Sequence, residues 1–185
     1  MDEVDEMDGM DAVDGVDPVD LYLGLGANLG DPIAQLRRAL GELIQRNLLI
    51  EPIRRSSLYR TPPWGTIPNQ PWFINAVVCG KTSHEPLPLL DALKAIESDL
   101  GRLSRSPRWG TRPIDLDILL HGRIVLTTPD LTIPHLYLTQ RAFVLVPLLE
   151  IAPELTDPVS GKPYSHFLTA LTDDVRKTEK IEETL

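Results

Sequence analysis

Residues 21–44 read LYLGLGANLGDPIAQLRRALGELI, and within them the pattern of apolar residues changes from that of a strand to that of a helix. Residues 21–27 alternate and carry bulky side chains as a pleated strand does. Gly30 closes the turn that follows. Asp31 is suited to cap a helix and Pro32 to its first position, after which Ile33, Leu36, Leu40, Leu43 and Ile44 recur at helical spacing and form one apolar stripe. A helix with one such stripe packs on a sheet.

The same pair of signals recurs downstream. Residues 48–60, LLIEPIRRSSLYR, predict a second strand in which Pro52 marks an edge or a bulge, and residues 72–80, WFINAVVCG, predict a third. A turn-rich loop, TPPWGTIPNQP, joins them. A second helix starts near Pro86, with Leu89, Leu90, Leu93, Ile96 and Leu100 as its buried stripe and Gly101 placed to end it. A strand then begins near Asp115. The order β-α-β-β-α-β is that of a ferredoxin-like α+β sandwich, an antiparallel sheet with both helices on one face and the other face open to substrates. Beyond it, His121-Gly122-Arg123 reads as a hairpin turn into a short strand, Ile124-Val125-Leu126. The remainder carries Pro129, Pro134, Pro147, Pro153, Pro158 and Pro163 and reads as a C-terminal extension of loop and short helix.

Chemistry concentrates in residues 101–118, GRLSRSPRWGTRPIDLDI. Asp115 and Asp117 are two apart in a strand-like run, so their carboxylates project from one face. Arg102, Arg105, Arg108 and Arg112 precede them in a loop with Pro107, Gly110 and Pro113. Alternating acids on an edge strand are ordinarily its solvated face, and loop arginines are ordinarily surface. Together they suit polyphosphate chemistry: paired carboxylates hold hard divalent cations, and guanidinium forks bind phosphate oxygens. The glycine-rich GLGANLG of residues 24–30 lacks the Gly-Lys-Ser/Thr of a phosphate loop. It reads as structural instead, Gly24 and Gly26 allowing close backbone approach and Asn28 and Gly30 tolerating turn geometry.

Charge is unevenly spread. Nine of the 27 acidic residues lie in residues 1–20, which hold no lysine or arginine, so the other 165 residues balance 18 acids against 18 bases. Residues 1–19 are therefore expected to form a disordered acidic tail, and residues 20–185 a single domain. Cys79 is the single cysteine, which excludes a disulfide framework and fits a reducing compartment. The acidic N-terminal segment does not read as a secretory signal, and no apolar run approaches the ~20 residues that cross a bilayer. A cytoplasmic protein that binds neither membrane nor nucleic acid, and is monomeric, is expected.

Four segments in order, YLGLGANLGD, SSLYRTPPWG with QPWFINAVV, RWGTRPIDLDILLHG, and LTIPHLYLTQRAFVLVPLLEIAPEL, together resemble the 6-hydroxymethyl-7,8-dihydropterin pyrophosphokinases of folate biosynthesis. The resemblance covers residues 21 to about 155. It implies transfer of the β,γ-pyrophosphoryl group of ATP to the pterin hydroxymethyl oxygen, with release of AMP. It also implies two Mg²⁺ ions on Asp115 and Asp117, and Arg102 and Arg112 as catalytic loop arginines. By the same resemblance the pterin would meet Thr61, Pro62, Trp64, Phe73, Asn75, Trp109 and Phe143. ATP would meet Lys94, Glu97, Arg105, Ile118, Leu131, Thr132, His135 and Arg141. Lys94, Ser104, Phe73, Thr111, Asp130 and Leu136 depart from the commoner family pattern, yet none removes a metal ligand or a catalytic arginine. Two other readings stay open from the residues alone: a different metal-dependent phosphoryl or nucleotidyl transferase, and a catalytically silent ferredoxin-like binding module.

Overall fold

A computed structural model describes residues 17–64, 67, 69–103 and 110–185. The central sheet contains β1 (Val19–Ala27), β2 (Ile50–Arg55), β3 (Tyr59–Thr61), β4 (Phe73–Thr82) and β5 (Asp115–His121), with α1 (Pro32–Gln45) and α2 (Pro86–Asp99) between them. Its order is β5-β1-β4-β3, with β2 also on β4, and every pairing is antiparallel. This is the ferredoxin-like α+β sandwich that the element order predicted.

Local chemistry fixes both helices. Asp31 accepts a hydrogen bond from the Ala34 N–H (3.1 Å) with Pro32 in the first turn, and Leu36, Ala39, Leu40 and Leu43 are buried. At the end of α2, Gly101 takes a left-handed φ of +95°, and the next N–H, that of Arg102, closes back on the Glu97 carbonyl (2.9 Å). That closure sets Arg102 directly beside Glu97. The two helices bury Leu21, Leu23, Leu25, Ala76, Val78, Leu116 and Ile118 from the sheet's inner face.

Three expectations are corrected. The strand expected over residues 48–60 is two strands separated at residues 56–58, and β2 itself is irregular, its register on β4 shifting between Ile50 and Arg54, where Pro52 has no N–H to donate. In the gap between them, Ser56 bonds Val77 through both its backbone N–H and its hydroxyl, at 2.9 Å each. The strand expected at Ile124–Leu126 begins only at Leu126. The Ile124 N–H is spent on the His121 carbonyl, and β6 (Leu126–Thr127) pairs forward with β7 (Thr132–Ile133) rather than back onto β5.

The second face of the sheet is also not fully open. A 3₁₀ turn (Leu138–Gln140) leads into α3 (Ala142–Ile151), whose Val144, Leu145 and Leu148 form a second core with Tyr22, Val77, Cys79, Leu119 and Leu120. AFVLVPLLEI is apolar but for Glu150, so it carries no amphipathic period, and Ala142, Val144, Leu145, Pro147 and Leu148 are buried. After it come α4 (Tyr164–Leu168), α5 (Thr172–Arg176) and β8 (Glu179–Lys180), which adds to the edge of β3. Part of the second face is thus roofed, and the part left open forms the floor of a cleft.

Candidate active site

The cleft, of about 280 Å³, lies where β1, β4 and β5 emerge from under α3. Strand register lays out its floor. Asp115 faces Gly26 across β5 and β1, and Gly26 faces Asn75 across β1 and β4; one step along, Asp117 faces Gly24 and Gly24 faces Val77. Because side chains alternate, Asp115, Asp117 and Asn75 share the cleft side while Leu116 and Ile118 enter the inner core. The two acids are thus separated from Asn75 by about 10 Å of bare glycine backbone, two strand spacings. The fit is tight at Gly26, where a Cβ would lie 2.8 Å from Asn75 Oδ1, and looser at Gly24, where one would touch Leu119 at 3.4 Å.

Asp115 is gripped on both oxygens, by Arg102 Nη1 (2.5 Å) and Arg112 Nη1 (2.7 Å). The same Arg102 nitrogen bonds Glu97 Oε1 (2.5 Å), which also accepts the Leu116 N–H (2.7 Å). Burial pushes the Glu97 carboxyl up to about 7, helped by the charge of Asp115 and opposed by Arg102. Burial works against the Arg102 charge, but Asp115 and Glu97 hold its pKa above the usual value.

Asp117 keeps 38% of its side-chain surface open to the cleft, yet it lies at the floor with protein around it. That enclosure, and then the neighbouring charge of Asp115, push it up to about 7. His135 is nearby, its Nε2 3.9 Å from Asp117 Oδ2. Burial and the charge of Arg141 lower His135 to about 4, so the contact is not an ion pair at neutral pH. Its Nδ1 accepts the Tyr137 N–H (3.2 Å), which assigns the ring proton to Nε2, facing the acid.

The opposite wall is aromatic. The Arg141 guanidinium lies 4.6 Å from the ring centre of Trp64, 4.9 Å from that of Tyr137 and 5.6 Å from that of Phe143. Thr61 and Phe73 pair across β3 and β4, and Asn75 Nδ2 donates to Thr61 Oγ1 (2.7 Å). An amide buried in an apolar strand has thereby found its partner.

Of the residues singled out from the sequence, twelve line the cleft: Thr61, Pro62, Trp64, Phe73, Asn75, Arg102, Arg112, Asp115, Asp117, His135, Arg141 and Phe143. Glu97 stands behind Asp115. Lys94 is exposed on α2, Thr132 lies in β7, and the side chains of Ile118 and Leu131 belong to the inner core, so these four do not line it. Arg105 and Trp109 lie outside the described residues. Tyr137 was missed, because no periodicity marks a residue that reaches the cleft from a 3₁₀ turn.

Among the described residues, no group of three or more His, Cys, Asp or Glu side chains forms a metal cage. Two carboxylates on one face suit a hard cation that brings its own phosphate and water oxygens.

A model of the 7,8-dihydro-6-hydroxymethylpterin-pyrophosphokinase (HPPK) family matches residues 22–153, a span that takes in the acids, the glycine floor and the aromatic wall. The chain belongs to this family. It is 42% identical over 161 residues to the 2-amino-4-hydroxy-6-hydroxymethyldihydropteridine pyrophosphokinase of Methylorubrum extorquens, covering 87% of this chain and 98% of that protein. It is 44% identical over 150 residues to the Pseudomonas aeruginosa protein of the same name, covering 81% and 90%. In fold it is similar to wild-type Plasmodium falciparum HPPK-DHPS solved with pteroate, with a TM-score of 0.67 at 17% identity over 86% of this chain. The present chain spans 43% of that longer one. The HPPK fold and the ferredoxin-like sandwich described above are thus the same architecture.

Proposed function

We propose that this protein transfers the pyrophosphoryl group of ATP to the hydroxymethyl oxygen of 6-hydroxymethyl-7,8-dihydropterin, giving AMP and the pterin pyrophosphate, in folate biosynthesis. The observation that carries this reading is one continuous cleft in an HPPK-family chain, with paired carboxylates and arginines at one end and an amide with aromatic rings at the other.

The pterin is a flat bicycle with a guanidine-like edge. Asn75 and Thr61 supply polar groups to that edge, and Phe73, Phe143, Trp64 and Pro62 supply apolar faces, with Trp109 proposed as a further cover. ATP lies toward Asp115 and Asp117, where Arg141 and His135 meet it from the wall side and Glu97, Lys94, Thr132 and Arg105 from around it. Ile118 and Leu131 contribute through their main chain, since their side chains are in the core.

Asp115 and Asp117 would hold two Mg²⁺ ions. Bound there, these would neutralise phosphate charge, polarise the β-phosphorus and lower the pKa of the attacking hydroxyl. The pterin oxygen forms a bond to the β-phosphorus, the bridge oxygen to the α-phosphorus leaves with AMP, and the hydroxyl proton passes to water. His135 does not take that proton: its Nδ1 already accepts from Tyr137 and its Nε2 carries a hydrogen. Arg102 and Arg112 leave Asp115 for the phosphate oxygens and stabilise the transferring group. The protein works on two small molecules as a cytoplasmic monomer.

Incubation with ATP, Mg²⁺ and the pterin, with the nucleotides then resolved, tests the reaction. AMP is expected, and its formation should fall at least about 100-fold in Asp117→Asn and vanish with EDTA. ADP would mean simple kinase action, free pyrophosphate would mean nucleotidyl transfer, and Asp117→Asn turning over at full rate would remove the metal assignment.

A further inference from the structure

Asn28 follows β1 and is only 3% exposed. Beside Gly30 it reads as a turn residue, yet its backbone is not left-handed, unlike that of Gly30 at φ +67°. Its hydrogen bonds run to distant segments instead. The Asn28 N–H donates to the Arg112 carbonyl (3.1 Å), and Asn28 Oδ1 accepts the Arg112 N–H (2.8 Å). Asn28 Nδ2 donates to the Pro71 carbonyl (3.1 Å). One residue therefore fixes both main-chain groups of Arg112, and its amide also holds the segment that enters Phe73 two residues later. The Arg112 side chain then reaches Asp115, with Nε on the Gly110 carbonyl (3.2 Å).

We propose that Asn28 is a positioning residue that holds the Arg112 main chain in fixed relation to the Pro71–Phe73 segment, so that the guanidinium and the pterin hydroxymethyl meet at the same phosphorus. This rests on the role of Arg112 proposed above. The chemistry selects asparagine. Aspartate keeps the acceptor for the Arg112 N–H but loses the donor to Pro71 and turns a negative oxygen on that carbonyl; serine is too short to span both, and glutamine is one methylene too long.

The test is a double-mutant cycle on the full chain with Asn28→Ala, Arg112→Ala, their combination and Asn28→Asp. The measurements are kcat, KM for each substrate, the Kd of a non-hydrolysable ATP analogue, and Tm. A misplaced arginine should lower kcat of Asn28→Ala by about 10- to 100-fold while the analogue Kd moves less than about threefold. With Arg112 already Ala, removal of the Asn28 side chain should change kcat less than about twofold, because both act through one guanidinium. Asn28→Asp should raise the KM for the pterin more than it lowers kcat.

Independent, multiplying effects of Asn28→Ala and Arg112→Ala would overturn the inference, as would wild-type kcat in Asn28→Ala. If Arg112→Ala itself is fully active, it is the reading of Arg112 that fails. Where Asn28→Ala does not fold, Asn28→Asp decides: equal losses in kcat and in pterin KM would sink the proposal.

Discussion

Asp115 already holds two cationic partners, Arg102 on one oxygen and Arg112 on the other, so a metal and triphosphate bound as proposed would exchange partners with them rather than add to them. On the proposed role, removing Arg102 both deletes a contact to the transferring group and relieves competition for Asp115. Arg102→Ala should therefore lower kcat by about 100-fold while the Kd of an ATP analogue shifts less than about fivefold. Equal losses in the two quantities would contradict the assignment. A different outcome is expected at the floor. In Gly26→Ala the new methyl meets Asn75 Oδ1 at 2.8 Å, and turning the amide away breaks its 2.7 Å bond to Thr61. The KM for the pterin should rise roughly tenfold or more while that for ATP stays nearly constant, a split read from steady-state kinetics. The acids were legible because a period of two puts residues i and i+2 on one face, whatever lies across from them, and the arginines because they crowd the short loop just before that strand. Asn28 was not, since its partners are 43 and 84 residues away and only the fold brings them near.

Elements with a clear apolar stripe and end signals, α1 and α2, form where the sequence placed them. The failures have one physical cause, the absence of a period. β2 slips register around Pro52 and parts from β3 at residues 56–58, and α3 shows no amphipathic stripe because nearly all of its residues are apolar. α3 also anchors the sheet edge through Glu150, which accepts hydrogen bonds from the Ser57 N–H and hydroxyl, Tyr59 and Lys180. Burial opposes the Glu150 charge, but these donors, Ser57 foremost, hold the carboxyl below its usual 4.5. A carboxyl depressed on folding adds stability that is present above about 4.5 and is lost as pH falls through the lower folded value. Glu150→Gln should cost about 1 kcal/mol at neutral pH, a small loss because 29% of the side chain meets water. The Tm gap between the two proteins should narrow below pH 4.5. Parallel Tm curves from neutral to acid would count against this.

The family match ends at residue 153, but the chain beyond it is built into the same body. β8 pairs with β3, Ile181 and Leu185 pack on the inner core, and Arg37 holds the Thr184 carbonyl with two nitrogens (3.0 and 2.6 Å). At the other end, β1 starts at Val19, and Asp20 pairs with Lys81 (2.9 Å). Residues 1–16, most of the acidic tail, lie outside the described residues. We read residues 20–185 as one domain to which that tail contributes only solvation. A protein starting at Pro18 should keep kcat within about twofold and Tm within a few degrees of the full chain, and loss of turnover on truncation would give the tail a role. None among the described helices is long and apolar enough to cross a membrane. The strip from Gly24 to Gly26 presents main chain alone, so its outline is fixed by strand pairing and not by any exchangeable group. An inhibitor resting on that strip would touch atoms that every codon change leaves in place. The simplest escape, a methyl at position 26, would strike the Asn75 amide, the group proposed to hold the pterin.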